Sequence, residues 1–322
     1  MTSAPEAVFI GGCPRSGTTL LASLLGGFPG CVVTPESQFK HRPLQRLHRQ
    51  PEIRLSGEGL AREWRSHLRF RHWGVDLLEA DLEHTLDPQA LRALLLALVG
   101  RMAKPEQQSL AAVTWIDHTP QNIELGLALS SLFPTAKLIH LVRDPRAVAA
   151  SLLPLDWGPH STAGIASLWS HRLAHGLALE KALPERILRV HYEDLCRHPE
   201  DTLKHVAAWL GLTMPTNRAL LQPTCDFLPR YTRHQHQRIG ERPQVERINA
   251  WRGQLEPWQQ RELEGRLGEL MALMGYPADA EPPRPGDHPP SLWQRRIWPL
   301  VRALRGRIRH RRHQRLHAQQ LR

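Results

Sequence analysis

Residues 8–25 read VFIGGCPRSGTTLLASLL, and the succession of residue types in this stretch sets the architecture around it. Val8, Phe9 and Ile10 make a short apolar run that stops at Gly11-Gly12, as a buried strand stops at a turn. From Ser16 onward Leu20, Leu21, Leu24 and Leu25 recur at helical spacing until Gly26-Gly27 breaks the pattern. The stretch predicts a strand over 8–12, a tight loop and a helix over 16–25. In that context the backbone N–H groups of the loop and the positive end of the helix dipole cradle a phosphate, and glycine lets the backbone approach it.

The loop spacing matches GxxxxG, yet Thr18 follows Gly17 where a nucleoside-triphosphatase carries lysine. Such an enzyme needs that lysine on the β- and γ-phosphates and the next hydroxyl on Mg²⁺. Here the cation is displaced into the loop as Arg15, which suits a 5′-phosphosulfate, whose transferring group carries less charge than a γ-phosphate. A glycine-rich turn with no ligand is the plain alternative.

Working outward, β-type runs recur at 31–33, 111–117, 137–142 and 187–191, most separated by helical patterns such as 122–132 and 147–153. Strands alternating with helices predict an α/β fold, a P-loop-type parallel sheet flanked by helices in three α/β/α layers. Residues 39–105 are helix-rich, full of Arg and His, and show no clear strand. They read as a helical insertion over the sheet edge on the acceptor side, within a domain spanning 1–277. Residues 278–290 are too rich in proline for regular structure and read as a linker. Beyond it, residues 291–322 read as a basic amphipathic tail.

The tail explains the charge. The chain of 322 residues carries a net +11, but ten arginines with no lysine and no acid lie in 291–322. The remainder is therefore nearly neutral, and the surplus points to an anionic surface for the tail alone. Trp293 and Trp298 among the arginines favour a membrane surface over nucleic acid. A hydrophobic fraction of 41% and a charged fraction of 23% are ordinary for a soluble protein. Cys13, Cys31, Cys196 and Cys225 form no CxxC pair, and no secretory leader or transmembrane run is visible. A cytoplasmic location, peripheral on a membrane through the tail, is expected.

A second motif, LIHLVRDPRAVAASLL at 138–153, sets Arg143 at the end of a buried strand and Ser151 eight residues on, within a helix. Arginine suits bidentate phosphate contacts. With this motif, the 8–25 segment, HYEDL at 191–195 and WRGQL at 251–255, the chain resembles the sulfotransferases that use 3′-phosphoadenosine 5′-phosphosulfate (PAPS). It is especially similar to the protein-tyrosine sulfotransferase branch and its bacterial relatives. The resemblance covers about residues 7–277. It implies that Pro14, Arg15, Ser16, Gly17, Thr18 and Thr19 hold the 5′-phosphosulfate, that Arg143 and Ser151 hold the 3′-phosphate, and that Tyr192 contacts the adenine side. It makes PAPS the co-substrate, with no metal.

Glu36, just beyond a short strand, lies at the carboxyl edge where ligands bind in parallel sheets. The resemblance makes it the catalytic base that takes the proton of an acceptor hydroxyl. The competing reading is a helix cap, or a salt bridge to Lys40 or Arg42. WIDHTPQN at 115–122 departs from the family pattern, with His118 where lysine is common. A histidine stabilises leaving-group charge only when protonated; His118 is otherwise the base, oriented by Glu36, or a structural residue.

Among lesser candidates, Arg146 reads as solvated or structural, Glu193 and Asp194 as caps of the following turn, and His67, Trp73 and the arginines of 62–74 as a solvated helix face or, alternatively, as the wall of an anionic acceptor site. Arg238 and Gly240 faintly resemble a late phosphate loop. Tyrosine, sugar, lipid and small-metabolite acceptors all stay open. Two other classes are weighed: a P-loop phosphotransferase, disfavoured by Thr18, and a non-catalytic module acting through the tail.

Overall fold

The computed structural model describes residues 4–103, 113–215, 226–228 and 243–279, with scattered positions between 297 and 311. Five strands form one parallel sheet in the order β2-β5-β1-β6-β7: β1 (Ala7–Gly12), β2 (Cys31–Val33), β5 (Thr114–Asp117), β6 (Lys137–Val142) and β7 (Ile187–His191). The central strand β1 is apolar on both sides because helices cover both faces. Along β1, Ala7 and Phe9 point into one core cluster and Val8 and Ile10 into another, as the two-residue strand period requires.

Helix α1 (Thr18–Leu25) follows β1 at once, starting two residues later than its apolar spacing predicts because Ser16 and Gly17 belong to the loop. The expected segment 111–117 is a strand only over Thr114–Asp117, and 111–112 lie outside the described residues.

The insertion after β2 carries helices α2 (His41–Arg49), α3 (Gly57–Ser66), α4 (Leu68–Arg71) and α5 (Pro88–Met102). It is not free of strands: β3 (Leu55–Ser56) and β4 (Thr85–Leu86) pair antiparallel. Two-residue strands are too short to show a period in sequence. The insertion also packs beyond the sheet edge, onto one face. The Phe39 ring centroid lies 4.9 Å from Trp64 and 5.0 Å from Phe70 and Trp73, and Trp73 stands edge-on to Trp115 of β5 at 5.9 Å. Trp73 is therefore core, not a solvated face residue.

The other layers come from α6 (Gly126–Leu132), α7 (Pro145–Leu152), α8 (Thr162–Ala182), α9 (Tyr192–Arg197), α10 (Pro199–Leu210) and three later helices, α11 (Glu246–Asn249), α12 (Trp251–Gln254) and α13 (Pro257–Leu273). No helix among the described residues is long and apolar enough to cross a membrane. Residues 280–290 and most of the tail lie outside the described residues, as does Cys225; Cys13, Cys31 and Cys196 are buried free thiols.

Strand order brings the carboxyl ends of β1, β2, β5, β6 and β7 to one edge, with β1 between β5 and β6 where the connections change direction. That is where open parallel sheets bind ligands. Gly12 is needed there for close strand approach: a Cβ on it would lie 2.2 Å from the Leu141 carbonyl oxygen. Gly12→Ala is expected to cost about 1–3 kcal/mol or more by overpacking. Urea unfolding with a wild-type midpoint would contradict that contact.

Candidate active site

The loop between β1 and α1 is shaped by its backbone. Ser16 N–H donates to the Cys13 carbonyl at 3.1 Å, and Arg15 takes φ 71°, the only positive φ of a non-glycine residue among the described residues. A left-handed arginine costs about 1–2 kcal/mol, so other contacts must hold it. They are long-range. Arg143 Nη1 donates to the Arg15 carbonyl at 2.8 Å, and Arg15 Nε donates to Ser151 Oγ at 3.0 Å. Gly17 begins α1 at φ 101°, where a Cβ would lie 2.6 Å from the Tyr192 ring.

Three arginines meet here. Burial, then the charges of Arg143 and Arg247, pull the Arg15 guanidinium down to about 10, against the opposing pull of Glu36. Like charges gathered in a part-buried site destabilise one another until an anion joins them. Donors for such an anion are present. No side chain caps α1, and Ser16 Oγ and Arg143 Nε are buried without a hydrogen-bond partner. Buried polar atoms are nearly always paired, so these orphans fit a ligand rich in acceptor oxygens, and the residues suit a nucleotide bearing anionic groups.

Tyr192 is buried, with the Arg143 guanidinium 4.0 Å above its ring centroid. The structure thus brings Arg15, Ser16, Gly17, Ser151, Arg143 and Tyr192 into one constellation. Pro14, Thr18 and Thr19 lie in the same loop and first turn. Arg247, whose carbonyl lies 3.4 Å from Arg143 Nη2, joins the group without any sequence motif to announce it. Arg238 and Gly240 lie outside the described residues.

Across the edge, Glu36 accepts from Gln38 Nε2 at 2.5 Å and pairs with Arg69 Nη2 at 3.3 Å. Trp73 Nε1 anchors the preceding loop by donating to the Pro35 carbonyl at 3.0 Å. His118 lies buried, its Nδ1 3.4 Å from Thr19 Oγ1 and its Nε2 without a partner. Burial pushes the imidazole pKa down, with Glu36 and Asp117 opposing. His118 is therefore neutral at neutral pH and no substitute for a permanent lysine cation. Nor does Glu36 orient it by a hydrogen bond, because Thr19 holds the ring.

The alternative partners for Glu36 are corrected as well. Lys40 is fully buried and pairs with Asp117 at 2.5 Å, and Arg42 lies 3.8 Å from Glu63. Lys40 Nζ also donates to Ser37 Oγ at 2.5 Å and Asn122 Oδ1 at 2.8 Å. Asp117 in turn accepts from the Thr119 amide at 2.9 Å and from the Ser37 hydroxyl. Burial pushes Asp117 up, but Lys40 and these donors overcome it and hold the carboxyl below the usual range. The network fixes the residues flanking both Glu36 and His118, and nothing in the local sequence signals it.

Arg146 is structural. It is buried over the Trp251 ring at 4.1 Å and pairs with Asp144, Glu264 and Asp279 at 2.8, 2.5 and 2.5 Å. Glu193 reaches beyond its own turn: it accepts from Asp144 N–H at 3.1 Å and from Tyr276 Oη at 2.8 Å. His67 is half-buried and caps α4 through Nδ1, which accepts the Arg69 amide at 3.2 Å. Among the described residues no group of three or more His, Cys, Asp or Glu is arranged to hold a metal.

A strand-loop-helix anion cradle joined to a second arginine at the next strand end defines a nucleotide-dependent group-transfer fold. The sulfotransferase family model matches residues 5–216, more than half the chain, and the chain belongs to the sulfotransferase family. The family's chemistry, the transfer of sulfuryl groups, makes the protein a transferase. Among curated relatives, the protein-tyrosine sulfotransferase of Drosophila melanogaster is 25% identical over 89% of this chain. Protein-tyrosine sulfotransferase 1 of Danio rerio is 27% identical over 87%. The chain spans 54% of the length of the first and 74% of the second.

Among solved structures, the sulfotransferase domain of the Synechococcus PCC 7002 olefin synthase is 26% identical, with TM-score 0.55, over 88% of this chain and 98% of that one. The sulfotransferase domain from the curacin biosynthetic pathway has TM-score 0.60 at 20% identity, over 86% of this chain and all of that one, a likeness of fold alone.

Lys40→Met strands a buried carboxylate and is expected to cost about 3–5 kcal/mol, with much of the loss recovered when Asp117→Leu is added. Urea denaturation of the single and double variants checks this. The wild-type contribution of Asp117 is complete above about pH 4, near the unfolded carboxyl value, and is lost as pH falls below it.

Proposed function

We propose that the protein moves a sulfuryl group from PAPS to an acceptor hydroxyl by in-line displacement. The observation that carries the donor assignment is the pair of arginines, Arg15 and Arg143, locked through the Arg15 carbonyl and surrounded by orphaned donors. In this reading the loop 14–19 with the open end of α1 holds the 5′-phosphosulfate. Arg143 with Ser151 holds the 3′-phosphate, and Tyr192 bears on the adenine side. The acceptor oxygen bonds to sulfur as the bond from sulfur to the 5′-phosphate oxygen breaks, leaving adenosine 3′,5′-bisphosphate.

Glu36 takes the acceptor proton. Its carboxylate is oriented by Gln38 and Arg69, whereas His118 lacks an orienting carboxylate. Charge on the departing oxygen falls to Arg15, Thr18, Thr19 and the amides of α1, since neutral His118 serves only as a hydrogen-bonding partner. Acceptor discrimination lies with the insertion, which supplies Arg69 and the support of the Glu36 loop. Tyrosine, as in the curated relatives' names, stands beside sugar, lipid and small-metabolite hydroxyls as an acceptor class.

Calorimetry with adenosine 3′,5′-bisphosphate is expected to show binding; no heat at millimolar nucleotide would sink the donor assignment. Arg15→Ala should cut PAPS-dependent transfer by about 10²–10³-fold, and Glu36→Gln by about 10²–10⁴-fold. Undiminished turnover in either variant would remove the role given to that residue.

The tail supports a second reading, peripheral attachment to an anionic membrane from the cytoplasmic side. Ten arginines stand in 291–322 without an acid, and the described positions Ile297, Leu300, Leu304 and Ile308 are exposed at helical spacing. Flotation with vesicles containing phosphatidylserine should carry the full chain and leave behind a version ending at Pro290. Equal flotation of both would defeat this reading, and loss of binding to vesicles but retention on DNA would move it to nucleic acid.

A further inference from the structure

The donor assignment rests on Arg143, and the way that residue is held raises a separate question. Arg143 ends β6 and must aim its guanidinium across the edge toward the loop after β1. Its Nη groups donate to the carbonyls of Arg15 and Arg247, and Trp169 Nε1 donates to its own carbonyl at 2.9 Å. These contacts fix the ends of the side chain and one side of the backbone. The following peptide is held by a different group. The amide of Asp144 donates to Glu193 Oε1 at 3.1 Å, while the Asp144 carboxylate begins α7 by accepting the Arg146 amide at 2.8 Å.

Glu193 is an expensive residue for that position. It is 5% exposed, and a carboxylate taken out of water costs several kcal/mol unless its oxygens are matched. One oxygen serves the Asp144 amide, so the second oxygen calls for an account. Its partner is Tyr276, itself buried, whose hydroxyl donates to Glu193 Oε2 at 2.8 Å and lies 3.1 Å from His191 Nδ1. Tyr276 sits just past α13, where its amide returns to the Met271 carbonyl at 2.8 Å. It lies sixty residues beyond the family-matched region, which ends at 216.

The neighbour of Glu193 completes the arrangement. Tyr192 supports the Arg143 guanidinium from below at 4.0 Å and fills the space that a Cβ on Gly17 would take. The dipeptide Tyr192-Glu193 therefore holds Arg143 twice, by its charge and by the peptide that follows it. Tyr276 locks the dipeptide from the far side.

We propose that Glu193 and Tyr276 are positioning residues for the 3′-phosphate, forming a clasp from the C-terminal helices that aims Arg143 and so sets the preference for a 3′-phosphorylated donor. The proposal rests on the donor assignment given above, and it predicts a loss specific to the 3′-phosphate. Without the Tyr276 hydroxyl, Glu193 Oε2 has no matched donor from that segment, the carboxylate turns to find one, and the Asp144 amide is released. Arg143 then keeps its charge and loses its aim.

The test is calorimetric binding of adenosine 3′,5′-bisphosphate and of 5′-AMP, which lacks the 3′-phosphate, to the full chain and to Tyr276→Phe, Glu193→Gln and Arg143→Ala. Thermal unfolding is followed in parallel. Tyr276→Phe is expected to weaken the bisphosphate about tenfold, the scale of one hydrogen bond to a charged group, and to leave 5′-AMP unchanged. Arg143→Ala should erase the difference between the two nucleotides.

If wild type does not distinguish the nucleotides, the donor assignment itself fails. If wild type and Arg143→Ala behave as expected while Tyr276→Phe and Glu193→Gln keep the wild-type preference, the clasp is wrong. An equal loss for both nucleotides would mean a purely structural tie and would equally overturn it. Should Tyr276→Phe not fold, Glu193→Gln, whose single acceptor oxygen cannot serve the Asp144 amide and the Tyr276 hydroxyl in the places of two, decides between the same outcomes.

Discussion

The site depends on one hydrogen bond, from the guanidinium of Arg143 to the carbonyl of Arg15, across 128 residues of sequence. It joins two loops that each leave the sheet at a strand end, and it holds Arg15 in a left-handed conformation that arginine does not choose on its own. The return contact, Arg15 Nε to Ser151, spans 136 residues and closes the same bracket. Both are possible only because β1 and β6 are neighbours, with Gly12 beside Leu141 and no side chain to force the strands apart. The price of the bracket is a concentration of positive charge, which a bound anion relieves.

The opposite half of the edge follows a different electrostatic rule. There the strongest pair, Lys40 with Asp117, is sealed from solvent and neutralises itself. It holds Ser37 and Thr119, the neighbours of Glu36 and His118, by hydrogen bonds. His118, desolvated beside this pair, stays uncharged. Clustered like charges on the Arg15 and Arg143 side and paired charges on the Glu36 side thus divide the edge along the line between β1 and β5. Sulfuryl transfer makes use of such a division, since negative charge grows toward the leaving nucleotide while a proton leaves on the other side.

The legibility of the chain follows the range of each interaction. The segments 137–142 and 187–191 coincide with β6 and β7, because a buried parallel strand is a short apolar run between turn residues. The loop after β1 is legible for the same reason, since its glycines, its arginine and its helix all lie between residues 11 and 25. Where sequence and structure differ, the partner is distant or the element very short. Glu193 reads as a cap of its own turn, yet its carboxylate also reaches Asp144 and Tyr276. Lys40 looked like a companion of Glu36, four residues away, yet Asp117 lay closer in space. The ribbon of β3 and β4 has no periodic trace at all.

Composition and spacing by themselves determined the α/β class, the strand-loop-helix anion cradle, the resemblance that names its family, and the segregation of positive charge into the last 32 residues. These are properties of residue type and local period, which survive without a fold. Only the tertiary structure decided which charges face one another, that Arg247 and Tyr276 from beyond the family-matched region close on the donor side, and that His118 is buried and neutral. Those outcomes depend on strand order and on exclusion of water, and neither is written in any one stretch of chain.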